Sequence, residues 1–138
     1  MKVKKILITV VLIIWMVIVW NFSNQNGQAS SNLSGGILTK IFNISAENEN
    51  IQLYEFLLRK AAHFSVYFLG SIIFYNFLKI NNYSKNKYLA TFLFIFLYAS
   101  TDELHQRFVA DRSGQISDVI LDSCGGLSYL IIKKLSNK

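Results

Sequence analysis

The side chains able to do chemistry in this chain fall into four short blocks. The first is Ser23-Asn24-Gln25, and the second is Arg59-Lys60-Ala61-Ala62-His63. The third is Thr101-Asp102-Glu103-Leu104-His105-Gln106-Arg107. The fourth opens with Asp111-Arg112-Ser113-Gly114-Gln115 and continues to Asp118 and Asp122. Histidine beside carboxylates suits general acid/base work, the carboxylate orienting the imidazole. His63, His105, Asp102, Glu103, Asp118 and Asp122 are also the ligand types that zinc or manganese takes. No HExxH or CxxC spacing is present, however, so the sequence predicts no metal and no other cofactor. No serine or cysteine stands in a recognisable nucleophile turn. The single cysteine, Cys124, has no disulfide partner and reads as a small buried residue.

Each block lies at the edge of an apolar run. The runs predict spans at about 6–22, 61–78, 88–101 and 116–132, within one domain of 138 residues. At roughly 14–18 residues each they are short for a bilayer, and Trp15, Trp20 and Tyr88 are suited to anchoring them at the interface. Charged residues make up only 16% of the chain against 52% hydrophobic, which favours lipid over water as the surroundings. The first run resembles a signal peptide, but only the poor site Gln28-Ala29-Ser30 follows it, so an uncleaved span is expected.

Charge sets the orientation. Segments 1–5, 79–87 and 133–138 carry nine lysines and no acidic residue: Lys2, Lys4, Lys5, Lys79, Lys85, Lys87, Lys133, Lys134 and Lys138. All eight acidic residues lie elsewhere. The positive-inside rule then puts both termini in the cytoplasm and segments 23–59 and 102–115 outside. The expected fold class is an all-α polytopic membrane protein with four short spans, in a plasma membrane of bacterial type. The net charge of +6 follows from this lysine pattern and does not imply nucleic acid.

Within the first outer segment, Leu33, Ile37, Leu38, Ile41 and Phe42 recur at helical spacing after a cap at Ser31-Asn32, with Gly35-Gly36 expected to loosen the helix. Ile51, Tyr54, Leu57 and Leu58 recur in the same way, predicting a second interfacial helix that runs on into the second span.

Helical spacing puts Lys60, His63, Tyr67, Gly70 and Ser71 on one face of the second span, and Asp118, Asp122, Gly125 and Tyr129 on one face of the fourth. A carboxylate in a span costs at least ~2.5–3.5 kcal/mol when central, so these stripes must face the bundle. Lys60, Arg107 and Arg112 are the available cations, and Asp118 with Lys60 or Arg112 is the expected ion pair. The predicted site comprises Gln25, Lys60, His63, Tyr67, Asp102, Glu103, His105, Gln106, Arg112, Asp118 and Asp122. Candidates for catalysis within it are His63, Asp102, Glu103, His105 and Asp122.

These blocks resemble the VanZ-like family. The resemblance rests on Phe22-Ser23-x-Gln25-x-Gly27 with Ser30, and on Lys60-x-x-His63-Phe64-x-x-Tyr67-Phe68-Leu69-Gly70. It continues in Ser100-Thr101-Asp102-Glu103-Leu104-His105-Gln106-x-Phe108 and Arg112-Ser113-Gly114-x-x-x-Asp118-x-x-x-Asp122-x-x-Gly125. Members often carry Pro-Gly before the arginine, where this chain has Ala110-Asp111, which predicts a less kinked loop. The resemblance implies a small membrane protein, some of whose relatives confer teicoplanin or lipoglycopeptide resistance. Three readings stay open: a site binding a lipid-linked cell-wall precursor or glycopeptide, an acid/base enzyme on a lipid-linked substrate, and a structural charge network.

Overall fold

The computed structural model describes residues 2–136. Lys138, one of the nine orienting lysines, lies outside them. The described chain is all-helical: α1 (Lys2–Ser23), α2 (Gly27–Lys40), α3 (Ile51–Ile80), α4 (Lys87–Gln106) and α5 (Ile116–Ser136). Two of these, α1 and α3, are long and apolar enough to cross a membrane. The predicted runs correspond to α1, the later part of α3, α4 and α5, with α4 and α5 each carried past the end of its apolar stretch.

The central element is α3, which packs against all four other helices. Its 30 residues fuse the second interfacial segment to the second apolar run, as the sequence predicts. The inner core gathers Leu12, Trp15 and Val19 from α1, Tyr67 from α3, and Ile95 and Ala99 from α4. Trp15 packs edge-on against Tyr67, and its indole nitrogen donates to the Val66 carbonyl at 3.0 Å. The hydroxyl of Tyr98 donates to the Met16 carbonyl at 2.8 Å. The polar tips of Trp15 and Tyr98 are thus satisfied within an apolar core.

Close helix approach depends on small residues. At Gly125 a Cβ would run into the backbone carbonyl of Phe64, and at Gly126 it would meet Ile95 and Ser71. The contact between α3 and α5 therefore needs glycine there. Outward faces remain apolar, with Leu89, Leu93 and Leu97 exposed on α4 and Ile120, Leu127 and Ile131 on α5.

Four local expectations are corrected. Helix α2 starts at Gly27, earlier than Ser31-Asn32, because the Asn26 side chain accepts from the Ala29 amide at 2.8 Å and caps it. It also runs unbroken through Gly35-Gly36, where Gly35 lets the Glu55 carboxylate of α3 come close. The loop before Arg112 turns sharply without Pro-Gly: Asp111 takes a φ of 57°, a left-handed conformation Asp tolerates better than most residues. Lastly, Cys124 is exposed, because on α5 the neighbouring Gly125 and Gly126 take the inward positions.

Candidate functional site

At one end of the bundle the site gathers three helix ends, the last turns of α1 and α4 and the first turns of α5. From α3 it takes the stretch 59–63, well inside a helix that starts at Ile51, and not a fourth helix end. This end holds almost every predicted site residue. Asp118 in the first turn of α5 pairs with the Lys60 ammonium, which also lies over the Phe56 ring, 5.1 Å from its centroid. The pair sits at the rim, at 24% and 15% exposure. Of the two cations considered for Asp118, Lys60 is the partner.

Arg112 does a different job. Its Nη1 donates to the Gln106 side chain at 3.1 Å, its Nε to the Gln25 carbonyl at 3.1 Å and its Nη2 to the Phe22 carbonyl at 3.3 Å. The last carbonyls of a helix have no intrahelical donor. Arg112 supplies donors at the end of α1, tying it to α4 and the loop between α4 and α5. Burial and the nearby charge of Arg59 lower the pKa of Arg112 from its ordinary value. Asp102, Glu103 and Asp118 act on Arg112 in the opposite sense.

Deeper in lie Asp122, fully buried, with Glu103 and Asp102 at 4% and 5% exposure. Helix α5 contributes the first, and adjacent positions of α4 the other two. The Nδ1 atom of His63 faces Asp122, at 3.3 Å from Oδ1 and 3.4 Å from Oδ2. Charge-assisted hydrogen bonds are about 2.7–2.9 Å, so the imidazole straddles the carboxylate loosely. Glu103 Oε2 accepts the Gln115 amide at 2.9 Å, which sets the entry of the chain into α5. Asp102 accepts from the Gln106 amide at 3.3 Å. Ligand atoms of His63, Asp102, Glu103 and Asp122 lie within 4.8 Å of one another.

A cavity of about 260 Å³ opens beside this cluster. Its walls are mainly apolar, with Phe22, Leu33, Ile37 and Leu58 among them, and α2 supplies one side. Arg59, Arg112, His63, Tyr67, Asp102, Gln106 and Gln25 provide its polar patches. Arg59 also donates from Nη1 to Ser31 of α2 at 2.9 Å.

His105 stands apart from the cluster and the cavity. It stacks on Trp20 with ring centroids 4.2 Å apart, and its Nε2 lies 2.7 Å from Asn24 Oδ1. Asp102 and His105 are one turn apart in sequence, but only Asp102 turns inward. Among the other cations, Arg107 bonds the Gly114 carbonyl at 3.3 Å and forms no ion pair among the described residues. Sequence reasoning missed Arg59 as a cavity residue and missed α2 as a wall. Arg59 was legible only as a cation in an apolar, helix-forming stretch next to Lys60.

The family model described as VanZ/LLP1 matches residues 8–136, nearly the whole chain, including all four blocks. Comparison with curated proteins and with solved structures gives no match. The chain belongs to the VanZ/LLP1 family.

Proposed function

We propose that this VanZ-like chain crosses a bacterial plasma membrane four times with both termini cytoplasmic, and that its outer end binds a lipid-linked envelope component through an anionic head group. The observation that carries this reading is the cavity: apolar walls meet two guanidinium groups, Arg59 and Arg112. Such a site matches an amphiphile, whose apolar chain replaces water against the walls and whose phosphate takes bidentate guanidinium donors. Clefts that enclose a drug-sized ligand run to about 300–1,000 Å³. At about 260 Å³ this one suits part of a lipid better than a whole glycopeptide. A contribution to teicoplanin-type resistance then works through the envelope component, by changing its access to the drug.

Support for four spans comes from the nine-lysine pattern and from the apolar outward faces of α4 and α5. A second reading is an enzyme on the same lipid. It is favoured by His63 and Asp102 lining the cavity, where an imidazole and a carboxylate would meet a bound head group.

The test uses purified full-length protein in nanodiscs, titrated with a polyprenyl phosphate and with the uncharged polyprenol of equal length. Saturable binding of the phosphate, weakened at least about tenfold by Arg59→Gln, is the expected result. Equal affinity for the two lipids would remove the anionic-head reading. A mass-shifted lipid after incubation, absent with His63→Ala, would favour the enzyme.

A further inference from the structure

We propose that His63, Asp102, Glu103 and Asp122 form a divalent-cation site, best suited to Mn²⁺ or Zn²⁺, in the buried polar end of the bundle. The inference goes beyond lipid binding and stands independently of it. It starts from a charge imbalance. Three carboxylates at 0%, 4% and 5% exposure crowd together with one imidazole. Among the described residues, no lysine or arginine forms an ion pair with any of the three. Lys60 is engaged by Asp118 at the rim, Arg112 by Gln106 and two backbone carbonyls, and Arg107 by the Gly114 carbonyl. Buried charges persist when paired or when they coordinate a metal. Here the pairing is missing.

The second observation is that acceptor atoms are left over. Glu103 Oε1 and Asp122 Oδ1 are buried and have no hydrogen-bond partner among the described residues. Glu103 Oε2 takes the Gln115 amide, while both Asp122 oxygens face the same imidazole at 3.3 Å and 3.4 Å without a short bond to it. The spacing of 3.3–3.4 Å between His63 Nδ1 and the Asp122 oxygens is long for a direct bond and fits two groups that turn toward a common third atom. With one ligand atom from each residue inside 4.8 Å, a small inward movement of the side chains reaches coordination distance.

The donor set narrows the ion. Three oxygens and one imidazole nitrogen are harder than the thiolate-rich sets of structural zinc and suit Mn²⁺, with Zn²⁺ as the other candidate. The four side chains come from three helices, since α4 supplies both Asp102 and Glu103. A bound cation would therefore cross-link α3, α4 and α5. Because His63 and Asp102 also line the cavity, the ion would have a side facing it.

The experiment uses the full-length protein with a tag free of histidine, in detergent without added lipid, stripped by a chelator and then titrated with Mn²⁺ alone. Free Mn²⁺ is followed by electron paramagnetic resonance, and a thermal melt is recorded at each point. We expect one Mn²⁺ per chain, displaced by Zn²⁺, with a melting temperature that rises with ion concentration. Asp122→Asn and Glu103→Gln should each weaken binding at least about tenfold, the lower end of what even outer-shell changes cost a metal site. Glu47→Gln, in the exposed segment before α3, should leave binding unchanged. Folded wild-type protein that takes up neither ion stoichiometrically overturns the proposal. So does undiminished binding in both carboxylate variants. If those variants fail to fold, the wild-type titration decides alone. Because no lipid is present, failure here does not bear on the amphiphile reading.

Discussion

Asp118 and Asp122 are one turn apart on α5 and have opposite fates. Asp118 at the rim has Lys60, while Asp122 beneath it has only the loosely placed His63. Because the Lys60–Asp118 pair is partly solvated, its coupling should be on the order of 1 kcal/mol. Asp118→Asn and Lys60→Gln should each lower the melting temperature in detergent, and the double variant should cost less than the sum. Strict additivity in that cycle would show that the pair is not coupled. Arg112→Lys keeps the charge and loses the planar fork that reaches Phe22, Gln25 and Gln106. It should destabilise the protein by roughly 1 kcal/mol, the net cost of losing partly exposed hydrogen bonds. A melt indistinguishable from wild type would refute that role.

Sequence periodicity set out the stripes on α3 and α5 well, because facing residues on two packed helices repeat every three or four positions. It could not distinguish Asp102 from His105, which share a helix end. Their difference comes from what lies opposite: Trp20 of α1 offers His105 a stacking surface, whereas Asp102 turns toward Gln106 and the interior. Long-range partners of this kind have no signature in spacing.

At the scale of elements, glycine controls how closely α5 approaches α3. Gly125→Ala places a methyl group against the Phe64 backbone, which cannot swing aside as a side chain can. The expected cost is roughly 1–3 kcal/mol, as for other overpacked contacts. Gly36 in α2 has open space around its Cβ position. Gly36→Ala should therefore be neutral or stabilise by up to about 1 kcal/mol through helix propensity. Thermal melts of the two variants in one detergent check the contrast, and equal effects would show that the α3–α5 contact is not limited by Gly125. The start of α2 was misread because Asn26 and Ser31-Asn32 are comparable caps in sequence. What decides between them is the contact of Gly27 with the Ala110–Asp111 turn, where the Gly27 amide donates to the Ala110 carbonyl at 3.2 Å.

For the whole molecule, the four polar blocks were legible in the sequence because each stands at the edge of an apolar run. In the proposed four-span topology, lysines and carboxylates separate to opposite ends because each apolar run returns the chain to the other side. The proposed topology makes a direct prediction: reporters fused after Lys87 and at the carboxyl terminus should respond as cytoplasmic, and one near residue 45 as external. An external carboxyl terminus would remove the four-span proposal.

The lone thiol offers a way to watch this arrangement from within. Cys124 is exposed on α5, two positions from the fully buried Asp122 and next to the Gly125 that touches α3. A nitroxide attached there needs no engineered background, since the chain has no second cysteine to label. It would project from the outward face of the helix whose inward face carries the carboxylates. In a bilayer such a label should collide often with dissolved oxygen, which partitions into hydrocarbon, and rarely with a water-soluble nickel chelate. The ratio of the two collision rates would turn one natural side chain into a depth gauge for the polar cluster beside it.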